Sequence, residues 1–193
     1  MIIGVLAVQG DFEAHRRVLE SLGAETREVR TPADLEGLDA LVLPGGESST
    51  HLKILQEEGL FGAVRSFGER GGAIFGTCAG AILLAREVKN PEQASLGLVD
   101  MTVLRNGYGR QLQSEVRRGR SALKDEPLEM VFIRAPVIER VGREVDVLAE
   151  DGGKPVLVRQ GRVLAATFHP ELTSDPAVHK YFLELAAERV AVV

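Results

Sequence analysis

Along the first half of the chain, unbroken apolar runs alternate with stretches of helical period. "IIGVLAV" (2–8) is apolar throughout, the pattern of a strand buried on both faces. "DFEAHRRVLESLG" follows, with Phe12, His15, Val18, Leu19 and Leu22 on one helical face and Gly23 as the stop. "AETREV" alternates as a second strand, and "DALVLPGGESST" (39–50) is a third that breaks into a glycine turn. Ser48, Ser49 or Thr50 is expected to cap the helix "HLKILQEEG". "LFGAVRSFGER" reads as another helix, leading into the strand "GAIF" (72–75). Parallel strands need crossovers, so this order predicts an α/β fold with a mostly parallel central sheet and helices on both faces.

The second half is β-rich. "LVDMTVL", "LEMVFIRAP" and "EVDVLAE" are short strand-like pieces, and 155–159 and 162–166 flank "QG" as a hairpin. "DPAVHKYFLELAAERV" closes the chain as an amphipathic helix, with Asp175 as N-cap and Pro176 at its first position. No repeat or linker interrupts the 193 residues, which predicts a single domain over 1–193.

Composition changes this picture little. The net charge of −5 argues against nucleic acid or an anionic membrane as main partner. The stretch from Arg105 to Arg120 carries one aromatic and interspersed acids, so it reads as a solvated β-turn region. A single cysteine excludes an intrachain disulfide framework and predicts a cytoplasmic protein. No apolar run approaches the ~18 residues of a membrane span, and no metal or cofactor motif stands out.

That single cysteine carries the candidate chemistry. "GAIF-GTCAG-AILLA" sets Cys78 between a strand and a helix in a Gly-x-Cys-x-Gly turn, the nucleophile-elbow arrangement with sulfur in place of oxygen. Bulk beside so tight a turn would clash, which asks for the flanking glycines. The helix N-terminus favours thiolate, and the Ala79 N–H is placed to meet an oxyanion. The competing reading is a buried cysteine acting as a small hydrophobe.

A cysteine nucleophile needs a base, and there are four histidines. His15 lies on the apolar face of the first helix and reads as a core or interface residue. His51 and His179 fall on expected solvated helix surfaces. His169 stands in "TFHPE", where no packing period demands it. Pro170 favours an extended residue before it, and in an extended chain Glu171 faces the same side as His169 and can orient its ring. In "PGGESST" (44–50), backbone N–H groups of Gly45–Gly46 are the candidate second oxyanion donor; a plain strand-to-helix turn is the alternative.

"PGGESST", "GTCAG" and "FHPE", in this order, resemble the triad class of glutamine amidotransferases. "AVQGDFEAH" narrows the resemblance, over essentially the whole length, to the glutaminase subunits of pyridoxal 5′-phosphate synthases. It implies a flavodoxin-like three-layer fold and hydrolysis of L-glutamine to glutamate and ammonia through a glutamyl thioester. Cys78, His169 and Glu171 would be the triad, and Gly46 and Ala79 the oxyanion donors. Gly46, Glu47, Ser48, Arg105, Ile133 and Arg134 would contact glutamine. It also implies a larger (β/α)8-barrel partner that uses the ammonia to build pyridoxal 5′-phosphate from ribose 5-phosphate and glyceraldehyde 3-phosphate; the helix bearing His15 is the candidate docking surface. The glutaminase subunit of imidazole glycerol phosphate synthase, a DJ-1-like cysteine hydrolase and a flavodoxin-like binding module remain alternatives. The first differs typically in its N-terminal segment and glycine loop; the second often has histidine where this chain has Ala79.

Overall fold

A computed structural model describes residues 1–107 and 114–188. Its main sheet has nine strands in two halves. The parallel half is β1 (Ile2–Leu6), β2 (Glu25–Val29), β3 (Ala40–Leu43), β4 (Ala73–Thr77) and, late in the chain, β12 (Val163–Ala166), in the order β2-β1-β3-β4-β12. From β12 the sheet continues antiparallel through β11 (Lys154–Gln160), β10 (Asp146–Asp151), β7 (Glu115–Ser121) and β8 (Lys124–Phe132). A separate three-stranded sheet joins β5 (Ala85–Lys89), β6 (Val99–Leu104) and β9 (Val137–Val141). The β-rich second half is therefore largely an extension of the same sheet. The "QG" hairpin forms as expected, with Gln160 opposite Val163.

Among the described residues, five α-helices cover the sheet: α1 (Phe12–Ser21), α2 (Ser48–Glu57), α3 (Leu60–Glu69), α4 (Ala79–Leu84) and α5 (Ala177–Ala187). The period-2 alternation of the strands separates two cores. Leu41, Leu43 and Ile74 pack toward α2, α3 and α4, with Leu55, Leu60 and Val64. Ile3, Val5, Val42 and Phe75 point the other way, toward Leu19 of α1 and Phe182 and Leu185 of α5. Helices thus lie on both faces, giving three layers.

Several local expectations need correction. Helix α2 begins at Ser48, and its cap is Glu47, whose carboxylate accepts the Ser49 and Thr50 N–H groups at 3.3 and 2.7 Å. A carboxylate with two oxygens serves two orphan donors where one hydroxyl serves one. Helix α5 begins at Ala177, with Pro176 as its cap residue, although the Asp175 carboxylate does accept the Ala177 N–H. His51 and His179 are fully buried, not solvated. Each found a partner from a distant element: His51 Nε2 lies 2.8 Å from the Gln9 carbonyl, and His179 Nε2 lies 3.0 Å from His15 Nδ1. Part of the basic stretch is a regular strand, β7, with the alternating exposure of a solvated sheet face; residues 108–113 lie outside the described residues. On α1 the stripe that carries His15 and Leu19 faces inward, while Phe12 and Val18 remain partly exposed. No described helix is long and apolar enough to cross a membrane.

Candidate active site

Two neighbouring parallel strands bring the predicted nucleophile and base together. In the β4–β12 register Thr77 lies opposite Ala166, so the residues that follow each strand leave the sheet side by side. The Cys78 N–H donates to the Ala166 carbonyl at 2.8 Å, and three residues later the His169 N–H is held by the Val131 carbonyl at 2.8 Å. Sequence-distant residues thus meet because parallel strands present their carboxyl ends to one crevice.

Cys78 adopts φ 48° and ψ −101°, a conformation rare for a side-chain-bearing residue. It is held by packing that only glycines permit. A Cβ at Gly80 would sit 2.0 Å from the Leu43 carbonyl oxygen, and one at Gly76 would sit 2.6 Å from the Gly80 backbone carbon. The glycines of the Gly-x-Cys-x-Gly turn therefore let β4, the elbow and α4 pack against β3. Cys78 is only 6 % exposed, yet that surface opens onto a cavity.

The cavity, of about 300 Å³, is lined by Cys78 and His169 together with Gly46, Glu47, Ser48, Arg105, Ile133 and Arg134. All the candidate contacts inferred from the resemblance therefore line one cavity. Gly45 lies beneath it: a Cβ there would be 2.4 Å from His169 Cε1 and 3.5 Å from Cys78 Cβ, so the glycine loop lies flush against both groups. Gly46, at φ +146°, also needs its glycine. Ala79 is fully buried directly after the elbow. Arg105 directly follows β6 and reaches Glu47, Nη2 to Oε1 3.0 Å. The bonds from Ser49 and Thr50 outweigh partial burial and pull the Glu47 pKa down to about 2, so this anion persists to hold the guanidinium. Ile133 and Arg134 follow β8, with Arg134 in the left-handed region at φ 44°.

Glu171 reaches His169 by a route different from the one expected. Residues Pro170–Leu172 form a 3-10 turn, not an extended segment, and this turn brings Glu171 Oε1 to 2.8 Å from His169 Nδ1. The Glu171 side chain is fully shielded from solvent. Burial by itself would raise its pKa, but the His15 and His169 rings overcome that and hold it well below the usual carboxylate range. Burial likewise works against protonation of His169, yet the adjacent Cys78 and Glu171 win and raise its pKa to about 10. The ring is therefore a buried cation between sulfur and carboxylate at neutral pH. This arrangement can hold a nucleophilic sulfur beside a proton donor whose tautomer is fixed from behind.

Sequence reasoning missed two polar groups that line this cavity. Gln9 lines the cavity, and its Oε1 accepts the Glu47 N–H at 3.1 Å while packing against Gly46. Its position after β1, at the carboxyl end of a parallel strand, was the available signal. Asn106 lines the cavity as well, beside Arg105. A larger, shallower depression of about 1210 Å³, lined in part by Met1, Asp39, Gly72 and Arg162, lies at the opposite strand ends and contains none of the candidate groups.

Known proteins are similar to this chain over nearly its whole length. A pyridoxal 5′-phosphate synthase subunit PdxT from Koribacter versatilis is 56 % identical over 185 residues, 96 % of this chain and 95 % of the relative. One of the same name from Deinococcus radiodurans is 55 % identical over 194 residues, 98 % of this chain and 99 % of the relative. A solved structure described as a glutamine amidotransferase superposes with a TM-score of 0.91 at 52 % identity, covering 97 % of this chain and all of the other. The sequence pattern of one family spans residues 5–188, and on these grounds the chain belongs to the SNO glutamine amidotransferase family.

Proposed function

We propose that the chain is the glutaminase subunit of a pyridoxal 5′-phosphate synthase, hydrolysing L-glutamine through Cys78, His169 and Glu171 and passing ammonia to a synthase subunit. The observation that carries this reading is the convergence of a strained cysteine elbow and a carboxylate-backed histidine on one cavity. A cavity of this size matches the lower end of small-molecule sites, about 300 Å³.

Glutamine enters with its side-chain amide toward Cys78. Arg105 and Arg134 offer planar guanidinium groups to its α-carboxylate, while Glu47 and Ser48 offer acceptors to its α-ammonium. Ile133 supports the aliphatic stem. The sulfur attacks the amide carbon, and the N–H groups of Gly46 and Ala79 take the charge that develops on the oxygen. Collapse of the tetrahedral intermediate breaks the C–N bond as His169 Nε2 gives its proton to the leaving nitrogen. Ammonia and a glutamyl thioester on Cys78 result. His169, now neutral, removes a proton from water, which attacks the thioester and releases glutamate with the sulfur restored. Glu171 holds Nδ1–H throughout, so the same nitrogen, Nε2, handles both proton transfers.

The ammonia needs an acceptor subunit. The names of the relatives, subunits of a pyridoxal 5′-phosphate synthase, support a synthase partner, which we take to be a larger (β/α)8 barrel that assembles pyridoxal 5′-phosphate from ribose 5-phosphate and glyceraldehyde 3-phosphate. The test is glutamate release measured with and without such a subunit. Stimulation by the partner, lost in Cys78→Ala, is expected; activity surviving in Cys78→Ala, or a wild-type chain inert in the complex, overturns the reading.

A further inference from the structure

Behind the Cys78–His169–Glu171 line lies a fully buried histidine pair that the proposed reaction does not use. His15 of α1 and His179 of α5 have no solvent exposure, and both stack edge-on against Phe75 of β4. His15 Nδ1 is 3.0 Å from His179 Nε2. On its other side His15 Nε2 is 3.1 Å from Thr77 Oγ1 and 3.4 Å from Glu171 Oε2. That carboxylate oxygen, buried and charged, has no hydrogen bond of good geometry from the described residues, and neither has His179 Nδ1.

We propose that His15 is a positioning residue for Glu171, its Nε2–H turned toward Thr77 and the carboxylate, with its tautomer set by a hydrogen bond donated from His179 Nε2. The inference rests on the glutaminase reading above for its kinetic consequence, but not for its proton placement.

Counting protons decides the direction. One proton lies between His15 Nδ1 and His179 Nε2, because two donors or two acceptors repel at 3.0 Å. If His15 donated it as a neutral ring, Nε2 would present a bare lone pair to the carboxylate. Glu171 Oε2 would then be left with no donor, and His179 would carry an N–H on Nδ1 with no acceptor. Both are costly in a buried setting. If His179 donates, His15 must carry its proton on Nε2, where Thr77 Oγ1 and Glu171 Oε2 share it. Only the His179 Nδ1 lone pair is then left without a partner, the lesser penalty. Burial disfavours the charged form of His179, so that ring has a single proton to place. Each oxygen of Glu171 thereby faces one imidazole N–H: His169 on Oε1 and His15 on Oε2. Rotation of the carboxylate, which would let the His169 ring drift, is blocked from behind.

Two measurements test this. On the full wild-type chain, long-range ¹H–¹⁵N correlation NMR reads the tautomers directly: both rings neutral with the proton on Nε2 is expected. A bare His15 Nε2 overturns the proposal, and a doubly protonated His15 overturns the role given to His179. In the complex with the synthase subunit, His15→Leu fills the space without a donor, whereas in His15→Gln an amide N–H reaches the place of Nε2. His15→Leu is expected to lower kcat for glutamate release by about 10- to 100-fold with KM unchanged, and His15→Gln to stay within about threefold of wild type. Equal losses in the two variants, or a His15→Leu variant with wild-type kcat, overturn it. A failure of the glutaminase reading shows as an inactive wild type and leaves the tautomer result to decide on its own.

Discussion

Glu171→Gln removes one charge and leaves the shape of the site unchanged. In the native protein Oε1 takes the His169 Nδ1–H at 2.8 Å inside a fully shielded pocket, and His15 Nε2 lies 3.4 Å from Oε2. At an effective dielectric of about 20, opposite charges about 4 Å apart attract by about 4 kcal/mol. That counter-charge is needed most while His169 holds the proton destined for ammonia. An amide can still accept from His169 with its oxygen, but its NH2 then points at the second imidazole, so the best hydrogen bond is weakened too. Retaining part of that interaction, the variant should lose about 3–4 kcal/mol of transition-state stabilisation, or roughly 10²–10³ in kcat. KM for glutamine should hardly move, because Glu171 does not line the cavity. The assay is glutamate release in the presence of the synthase subunit, with thermal unfolding as the control for folding. A kcat within about threefold of wild type, or a loss expressed mainly in KM, would refute the reasoning.

Other outcomes follow from the same geometry. The raised pKa of His169 draws on Cys78 as well as Glu171, so in Cys78→Ala the ring should titrate well below the native value of about 10, as read by NMR. A raised pKa contributes stability that is complete below the unfolded value near 6.5 and is lost as pH rises toward about 10; the wild-type unfolding midpoint should therefore fall over that window more than that of Cys78→Ala. Gly80→Ala pushes a methyl group to 2.0 Å from the Leu43 carbonyl oxygen, where rigid backbone must yield; a cost of about 2–3 kcal/mol, or roughly 4–12 °C in the unfolding midpoint, is expected, together with loss of glutaminase activity. Arg105→Ala should raise KM for glutamine by about tenfold or more with a smaller effect on kcat, measured in the same glutamate assay, because it removes a guanidinium from the cavity wall.

Much of this site was legible in the sequence because its signals are local. Gly76 and Gly80 flank Cys78 at a spacing that only a strand–turn–helix requires, and the structure shows the backbone contacts behind that requirement. The continuous apolar runs of β1, β3 and β4 announced strands covered on both faces. His51 and His179 misled because a polar ring on an otherwise amphipathic helix looks solvated until its partner is known. Those partners, Gln9 and His15, lie 42 and 164 positions away. Glu47 was missed as a cap because the hydroxyl residues after it match the usual preference, while its own role depends on two oxygens reaching two N–H groups. The 3-10 turn at Pro170–Leu172 delivers the contact that an extended chain was expected to give. Spacing therefore indicated which residues meet, but not the backbone path between them.

Covalent labelling by 6-diazo-5-oxonorleucine, a glutamine analogue with an electrophilic carbon near the amide position, puts the chemistry at Cys78 to the sharpest trial. Intact-mass and peptide mapping of the labelled complex should find a single adduct on the Cys78 sulfur, slowed by L-glutamine and strongly reduced in His169→Ala. A thiol that stays unmodified while the analogue occupies the cavity, or an adduct at another residue, would contradict a nucleophilic cysteine backed by His169 and Glu171.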